Sequence, residues 1–578
     1  MLNRIKSSQG LQVFALIWSI TFILYFPAAK AGWVIDAAGW LYDIRHHTFW
    51  DYINRTQSKI ASLYQFTQLT TYVLYKIIGA NVWAWSLLFI TMHTVNAWLV
   101  FTVSHNILKD TGVQNARKIA LAGLILFLVS PHISEVLIWK ACYHYLQGLM
   151  LLMLCVYWAQ RYIYEQKTKY IWGSGILFAC SVFSLEIFYL TPFFIATLAM
   201  YYRFVLGGDK ELFRKILFRF LLPQVLMLLL YIVLFNKYYS GMKPHVYNLL
   251  SQTINDYLSK PPKYFFHIFF LGRYFSYETR LWVYALCRMT LFLIIFYTVL
   301  IDIFVYFILN INRLGSTRRA LFLFYTWVCL TIAILAPIPF PDGSLLVFMD
   351  RYIYFSGGFV YIFVALLLSD WVKKTNSYYR ILFYFGLINI FFTVMLNMYW
   401  KKSAYINNRL LHEFPAPGNK TMLLLNIPEN LQGVPMIGSQ HGGEFKAMRE
   451  LFIDSSLKNP VYDVLSYNLL SGADGVHVVV KNDSTLRVVP NQFGNWWWYE
   501  GHGATSYENE EYKVKVLQNY NAYELTLKHP AENYMLLYEV DGCWRQVKWV
   551  VDPTDSIYIH EFGVDSLKMA DTVLDKEE

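Results

Sequence analysis

Acidic residues recur in three short motifs at the corresponding ends of long apolar segments. The motifs run from Ser130 to Glu135, from Ser184 to Glu186 and from Asp350 to Tyr354, while Asp36 and Asp43 follow the first apolar segment. A carboxylate can take a proton from a hydroxyl group, or hold Mg²⁺ or Mn²⁺ through hard oxygen ligands. Charged groups beside hydrocarbon are costly and are usually retained for function. The pattern predicts a polar site at one end of a helical bundle.

Basic and polar residues beside these motifs predict recognition of an anion. Arg351 is the first candidate, because its planar guanidinium offers a phosphate group several donors at once. Lys140 and Arg273 are further candidates. His93 is also a candidate for substrate binding, although its position on one helix face with Asn96 is equally typical of hydrogen bonding between helices.

The composition is that of a membrane protein. Hydrophobic residues make up 56% of the 578 residues, charged residues only 15%, and the mean hydropathy is +0.34. Apolar segments long enough to cross a bilayer recur between Leu11 and Trp400, and hydropathy predicts about eleven of them. They lie at 11–29, 82–107, 119–131, 143–163, 170–185, 187–206, 216–236, 281–309, 320–339, 352–370 and 380–399.

Short loops rich in lysine and arginine alternate along the chain with loops that are poor in them, and this alternation predicts the topology. The basic loops contain Arg4 and Lys6, Lys109 to Lys118, Arg161 to Lys169, Lys210 to Arg219, Arg313 to Arg319, and Lys373 to Arg380. Because such loops stay in the cytoplasm, the N-terminus is predicted to be cytoplasmic and the tail after Trp400 to lie outside. The net charge of +10 then reflects topology, and no nucleic-acid partner is expected.

Two domains are predicted. Residues 1–400 form the membrane domain, with long outer loops at 30–80 and 237–280, and in the second loop Pro261-Pro262 is expected to separate interfacial helices at 246–258 and 264–275. Residues 405–570 alternate short apolar runs with turn residues and are predicted to form a β-rich extracytoplasmic domain. A hairpin is expected at 481–484 and a tight turn at Asp541-Gly542.

The order of the motifs resembles that of the GT-C superfamily of membrane glycosyltransferases, and in particular of membrane O-mannosyltransferases and their bacterial relatives. Five features of the family pattern have counterparts in this sequence. They are the acid after the first span, the His and Asn of the second span, the Pro and Glu of the next outer turn, and the later Ser-x-Glu and acid-Arg-Tyr motifs. These are Asp36 with Asp43, His93 with Asn96, Pro131 with Glu135, Ser184-Leu185-Glu186, and Asp350-Arg351-Tyr352. Leu185 stands where the family has lysine, and Asp350 where it has glutamate.

The resemblance implies transfer of a sugar from a polyprenyl-phosphate-linked donor to a glycan, lipid or protein acceptor at the outer face of the membrane. Asp36 is the first candidate for the general base and Asp43 the second, and either is a candidate ligand for Mg²⁺ or Mn²⁺. The resemblance places Glu135, Glu186, Asp350 and Arg351 around the donor. Each also has a structural explanation, because Asp36 can cap a helix and Asp350 can pair with Arg351.

Two other functions remain open from the sequence. A transporter or flippase of lipid-linked sugars would also need polar groups in the membrane, although transporters usually contain internal repeats and carry their sites near the midplane. A non-catalytic scaffold that presents the outer domain to partners is the third alternative. The resemblance to bacterial proteins favours the bacterial cytoplasmic (inner) membrane, with the C-terminal domain in the periplasm.

Overall fold

The computed structural model describes residues 8–54, 64–238, 253–338, 350–372, 374–415, 418–438, 444–453, 458–469, 471–490, 495–497, 506–517 and 522–550. The chain divides into two compact units. The first comprises residues 1–29 and 47–397, and the second residues 30–46 and 398–578. The short segment after the first apolar helix, which contains Asp36 and Asp43, therefore belongs to the same unit as the C-terminal tail.

The described residues of the first unit form helices joined by turns and loops. Those before the first acidic motif are α1 (Ser8–Tyr25), α3 (Phe49–Asn54), α4 (Gln65–Ile78), α5 (Val82–Asp110) and α6 (Ala116–Leu128), with α2 (Asp36–His46) in the second unit. Those that follow it are α7 (Ser134–Ile138), α8 (Tyr143–Glu165), α9 (Lys169–Val182), α10 (Thr191–Met200), α11 (Lys210–Ile216), α12 (Leu222–Tyr238), α13 (Ile254–Phe269), α14 (Tyr277–Arg288), α15 (Thr290–Asn310), α16 (Ser316–Ala333), α17 (Asp350–Trp371) and α18 (Thr375–His412).

Eight helical segments of the described residues are long and apolar enough to cross a membrane, and a bent pair raises the number to nine. The chain is thus a helical membrane protein with several spans, whereas about eleven were expected from hydropathy. Two predicted spans are short, because α9 contains 14 residues and α6 contains 13. The exact number of spans and their orientation remain predictions.

The bent pair positions the first acidic motif. Helix α6 ends at Leu128, and a short helical segment from Pro131 to Ile138 continues at an angle of 57° to it. Proline favours this break because it suits the first turn of a new helix but disturbs the end of the preceding one. The bend leaves His132 and Glu135 buried.

Helix α13 is continuous through Pro261-Pro262, so the predicted separation of 246–258 from 264–275 is wrong at this point; residues 239–252 lie outside the described part of the chain. A capping box between Thr253 and Asp256 fixes its first turn. Proline removes a helical hydrogen bond and leaves a carbonyl without its donor. Here the Tyr297 hydroxyl donates to the Leu258 carbonyl at 2.8 Å, which compensates for the missing N–H of Pro262.

The second unit contains three small sheets and helix α19 (Glu444–Phe452). Strands β1 (Thr421–Leu424), β4 (Val461–Asp463), β12 (Tyr534–Val540) and β13 (Cys543–Gln546) form one sheet, in the order β13-β12-β1-β4. Strands β2 (Ile427–Leu431), β3 (Val434–Pro435), β5 (Ser466–Leu469) and β8 (Asn495–Trp497) form another. The third is antiparallel and contains β6 (Val476–Val480), β7 (Thr485–Pro490), β9 (Ser506–Glu508), β10 (Tyr512–Leu517) and β11 (Ala522–Leu527).

Two predicted turns of this unit are confirmed. Strands β6 and β7 pair antiparallel across residues 481–484, as the hairpin prediction required. Asp541 and Gly542 join β12 to β13 with φ angles of 55° and 71°, the left-handed conformation of both central residues of a type I′ turn. The turn brings the Gly542 N–H to the buried carboxyl group of Glu539, at 2.7 Å.

Glu539 should make the stability of this unit depend on pH. Burial raises the pKa of its carboxyl group from 4.5 to about 8, with smaller contributions from Asp541 and Asp474. The folded state therefore binds the proton more tightly than the unfolded state, and stability falls as pH rises from about 4.5 to 8. We expect Glu539→Gln, which mimics the protonated acid, to stabilise the unit at pH 8 by roughly 4 kcal/mol.

The measurement is the unfolding midpoint of the purified full-length chain in denaturant, followed at pH 5 and at pH 8. The variant should match the native chain at pH 5 and exceed it at pH 8. A variant that is equally destabilised at both values would show that Glu539 is ionised in the folded state.

Candidate functional site

Asp350 is the centre of a buried polar cluster in the first unit. Asp350 is the first residue of α17, and its side chain is fully buried. One carboxylate oxygen, Oδ1, accepts hydrogen bonds from His132 Nδ1 at 2.9 Å and from His267 Nε2 at 3.0 Å. The second oxygen, Oδ2, accepts from Arg273 Nη1. Because an ionised carboxylate only accepts hydrogen bonds, both imidazoles must donate from these nitrogens.

The histidines are held in defined orientations by this arrangement. Burial lowers the pKa of His267, although Asp350 opposes the change, so the ring is neutral at pH 7. The remaining ring nitrogens, His132 Nε2 and His267 Nδ1, are buried and have no hydrogen-bond partner among the described residues. In a neutral imidazole whose other nitrogen donates, such a nitrogen is an acceptor and can take a hydrogen bond or bind a metal ion directly. The two nitrogens that donate to Asp350 would have to lose their protons before they could bind a metal ion.

Arg273 neutralises Asp350 inside the cluster. Burial alone would lower the pKa of its guanidinium, but the carboxylate of Asp350 outweighs that effect and raises it. The arginine side chain is only 7% exposed. A buried pair of this kind is compatible with folding only while both partners are present, because either charge alone would be poorly solvated.

The next residue of α17 forms a second ion pair. Arg351 Nη1 donates to Glu135 Oε1 at 2.6 Å, and the Arg351 backbone N–H donates to Glu135 Oε2 at 3.1 Å. Glu135 thus binds the side chain of Arg351 and also caps the first turn of α17, where a negative charge is favourable. The guanidinium lies over the rings of Trp139 and Tyr352, at 5.1 and 4.8 Å from their centroids.

Helix α13 contributes basic residues that the sequence analysis missed. Lys260, Lys263 and His267 lie three and four residues apart and are all buried, so one face of the helix carries them. Lys263 Nζ lies 5.8 Å from the ring centroid of Tyr284 on α14. Burial and the neighbouring Tyr352 raise the pKa of Tyr264, and the charge of Arg351 opposes that rise. The helix therefore brings a basic face close to Arg351.

Three other predicted residues lie beside this cluster or one turn from it. Lys140 follows Trp139 directly and donates to Ser86 Oγ at 2.8 Å and to the Ile138 carbonyl at 3.0 Å. His93 Nδ1 and Asn96 Nδ2 both lie 3.0 Å from the Tyr354 hydroxyl, one helical turn beyond Asp350. These contacts give His93 and Asn96 the role between helices that their spacing also predicted.

Glu186 is connected to the cluster through aromatic side chains. The Tyr64 hydroxyl donates to Glu186 Oε2 at 3.3 Å. The ring of Tyr64 meets that of His144, His144 meets Tyr145, and Tyr145 meets Tyr352, with centroid separations of 5.7, 4.6 and 6.1 Å. The acidic motifs around Glu135, Glu186 and Asp350 therefore reach one region of the first unit.

Asp36 and Asp43 lie in the second unit, on α2. Asp36 is the first residue of that helix, where its charge suits the N-terminal end, and both side chains are partly exposed. Ile35 before it has a φ of 47°, which costs about 1–3 kcal/mol for such a residue. A β-carbon at Gly438 would lie 2.7 Å from Ile35 Cγ1, so a glycine is required beside it. The left-handed backbone at Ile35 thus leads directly into Asp36 and the first turn of α2.

A metal ion has one candidate site among the described residues. The ligand atoms of His132, His267 and Asp350 all lie within 4.8 Å of one another. Two imidazoles and one carboxylate suit a borderline metal such as Zn²⁺ or Fe²⁺ better than Mg²⁺, which prefers oxygen ligands. Metal binding was predicted from the sequence at Asp36 and Asp43, with Mg²⁺ or Mn²⁺ as the ion. The group of His132, His267 and Asp350 was not predicted as a metal site.

Comparison with known proteins gives similarity at the level of structure. No protein-family model and no curated protein matches the chain. One similar structure is the archaeal oligosaccharyltransferase AglB from Archaeoglobus fulgidus in complex with an inhibitory peptide and a dolichol-phosphate, with a TM-score of 0.38, 12% identity and 73% of this chain covered. Another is the Archaeoglobus fulgidus oligosaccharyltransferase in complex with Zn and sulfate, with a TM-score of 0.36, 14% identity and 71% covered.

The chain spans 62% and 60% of the length of these two proteins.

The ion pair at Asp350 gives a direct test of the cluster. We expect Arg273→Leu to destabilise the first unit by about 3 kcal/mol or more, because it leaves a buried carboxylate without its cation. The double variant Arg273→Leu, Asp350→Asn should recover much of that loss. Thermal unfolding in detergent, followed by a thiol-reactive dye, reports this because the thiols of Cys142, Cys155 and Cys287 are buried and become accessible on unfolding.

A matched control is Arg318→Leu, which breaks an exposed pair with Asp370 at 3.0 Å. Exposed pairs contribute little, so the change should be below about 1 kcal/mol. If the double variant were no more stable than Arg273→Leu alone, the carboxylate of Asp350 would not be the charge that Arg273 neutralises.

Proposed function

We propose that this chain is a membrane glycosyltransferase that moves a sugar from a polyprenyl-phosphate-linked donor to an acceptor at the outer face of the membrane. The observation that carries the proposal is the arginine-rich polar cluster at the beginning of α17, within a unit made of apolar helices. The acceptor belongs to one of three classes, a glycan, a lipid or a protein hydroxyl group.

Arg351 is the proposed ligand of the donor phosphate. Its side chain is 15% exposed, more than those of Arg273 at 7%, Glu135 at 3% and Asp350 at 0%, which makes it the most accessible of these four charged residues. A guanidinium has five N–H donors, and the pairing with Glu135 is compatible with a second anion. The rings of Trp139 and Tyr352 pack against it, and such aromatic side chains suit the boundary between water and lipid.

Basic side chains around Arg351 would stabilise the leaving group. In the transfer, the acceptor oxygen forms a bond to the anomeric carbon of the sugar, while the bond from that carbon to the phosphate oxygen breaks. Negative charge then builds on the departing polyprenyl phosphate, and fixed cations lower the energy of that state. We assign this role to Arg351 first and to Lys263 second, with Lys140 and Arg273 holding the surrounding segments in place.

The general base is proposed to be Asp36, with Asp43 as the second candidate. Both Asp350 oxygens accept hydrogen bonds from His132, His267 and Arg273, and both Glu135 oxygens accept from Arg351. Carboxylates engaged in this way are poorly placed to remove a proton from an acceptor. Asp36 and Asp43 are partly exposed on α2, so a hydroxyl group of an acceptor can approach their carboxylates.

A metal ion, if bound, would be held by His132, His267 and Asp350. A divalent ion there would add positive charge near the donor phosphate. Metal binding at Asp36 and Asp43 remains the alternative proposal. The domain boundaries of 1–400 and 405–570, the extracytoplasmic position of the second domain and a bacterial cytoplasmic membrane are part of the same proposal.

The transfer reaction itself is the test of the proposed function. Purified protein in nanodiscs, supplied with radiolabelled polyprenyl-phosphate sugars and membrane extract as acceptor, should release polyprenyl phosphate. Asp36→Asn should lower turnover by about a hundredfold or more, the usual effect of losing a general base. Arg351→Lys should lower it about tenfold or more, since lysine lacks the planar donor pair. Arg318→Gln is the control and should keep normal activity.

Either of two results would contradict the proposal. Folded protein that releases no polyprenyl phosphate from any donor would favour the transporter or the scaffold. Full activity of Asp36→Asn would retain the enzyme and move the base to Asp43.

Metal content is a separate measurement. Elemental analysis after dialysis against equimolar Zn²⁺, Mn²⁺ and Mg²⁺ should find Zn²⁺ bound to the native chain, and bound about a hundredfold more weakly to His267→Ala, because an imidazole ligand is lost. Asp43→Asn is the control and should bind as the native chain does. Loss of metal in Asp43→Asn but not in His267→Ala would place the ion at α2.

A further inference from the structure

Helix α15 carries a carboxylate on a surface that faces away from the rest of its unit. The helix is a candidate membrane span, and only 6% of its apolar stretch is buried. Asp302 is exposed on it. At 1.5 Å per residue the aspartate lies about 18 Å from Thr290 and about 12 Å from Asn310. In a hydrocarbon layer about 30 Å thick it is therefore near the middle.

Three polar residues in other spans differ from Asp302 in their burial and hydrogen bonding. His93, Asn389 and Asn397 also lie within apolar helices, but all three are buried and each has a hydrogen-bond partner. Asp302 has no such partner in the part of the chain that the structure describes. An ionisable residue that faces lipid is expensive, and such residues almost always face a protein surface. The exposed side of α15 therefore has the character of an interface.

Asp302 belongs to a regular stripe on that side. The stripe consists of exposed residues spaced alternately four and three apart, namely Leu291, Ile295, Thr298, Asp302, Val305 and Leu309. This is the heptad spacing of two helices that pack along a shared seam at a small angle. Thr298 and Asp302 occupy successive positions and provide a hydrogen-bond donor and an acceptor.

We propose that the stripe is the contact between two copies of this chain, which pair in the membrane through α15. Two copies share one orientation in the bilayer, so their α15 helices run parallel and their Asp302 residues lie at the same depth. A helical side chain points toward the N-terminus of its helix, which brings the carboxyl group of Asp302 over the turn that carries Thr298. Each copy then offers a hydroxyl donor to the carboxyl group of the other.

The stripe suits a second copy because it is self-complementary. The donor and the acceptor lie one turn apart on the same face, and the flanking positions are apolar residues that fill a seam of equal length in both helices. The other polar groups of the spans named above are buried and so are not presented to a partner. When α15 of one copy packs against α15 of the other, Thr298 and Asp302 of both copies lie together in the seam.

Cysteine cross-linking in intact membranes tests the geometry. Val305→Cys lies on the stripe, whereas Ile303→Cys is also exposed but points about 100° away from Asp302 on the helix. Under mild oxidation, Val305→Cys should form a disulfide-linked dimer, and Ile303→Cys should stay at the level of the native chain, whose own cysteines provide the background. Equal cross-linking at both positions would overturn the proposal.

The energetic role of the polar pair is tested by dimerisation in liposomes, measured by single-molecule photobleaching over a range of protein-to-lipid ratios. Asp302→Leu and Thr298→Val should each weaken the dimer about threefold to tenfold, the usual effect of hydrogen bonds between membrane helices. Neither should change the unfolding temperature, because both side chains are exposed. Native chain that is monomeric at every ratio would overturn the proposal and favour a different partner helix with a basic residue at this depth.

Discussion

The buried carboxylate of Asp350 holds the polar end of the first unit together. It accepts hydrogen bonds from three side chains that belong to three separate segments, the turn at Pro131–Ile133, helix α13 and the turn at Gly272–Tyr274. The next residue, Arg351, binds Glu135. Two consecutive residues of α17 thus fix the segments that carry most of the candidate site. Removing either charge alone would leave its partner buried and poorly solvated.

This constraint also explains the division of roles among the acids. Carboxylates that must hold segments together are ionised and fully hydrogen-bonded, which makes them good anchors and poor bases. The cationic partner Arg351 is the more exposed member of its ion pair, and it is the residue proposed to bind the phosphate. The proposed base, Asp36, lies apart from these anchoring acids, at the start of α2 in the second unit.

Much of this arrangement could be predicted from the residues. The motifs at Glu135 and Asp350 stood out because acids beside hydrocarbon are costly, and the Asp541-Gly542 turn followed from the left-handed conformation that glycine and aspartate tolerate. Lys260, Lys263 and His267 were missed because Pro261-Pro262 was expected to break the helix that aligns them. The hydroxyl of Tyr297, distant in sequence, donates to a carbonyl that the prolines leave without its donor, and local sequence does not reveal such a partner. His132 was within a recognised motif, but its role depends on a contact with a residue more than two hundred positions away.

The central claim is that Arg351 and the rings beside it bind the phosphate of a polyprenyl carrier. The most direct measurement is photocross-linking with a polyprenyl phosphate that carries a benzophenone next to the phosphate, followed by mass spectrometry of the labelled peptides. The account predicts labels on peptides that contain Trp139 or Tyr352, reduced about tenfold in Arg351→Ala by loss of a charge-assisted hydrogen bond. Labelling confined to other helices, and unchanged in Arg351→Ala, would contradict it.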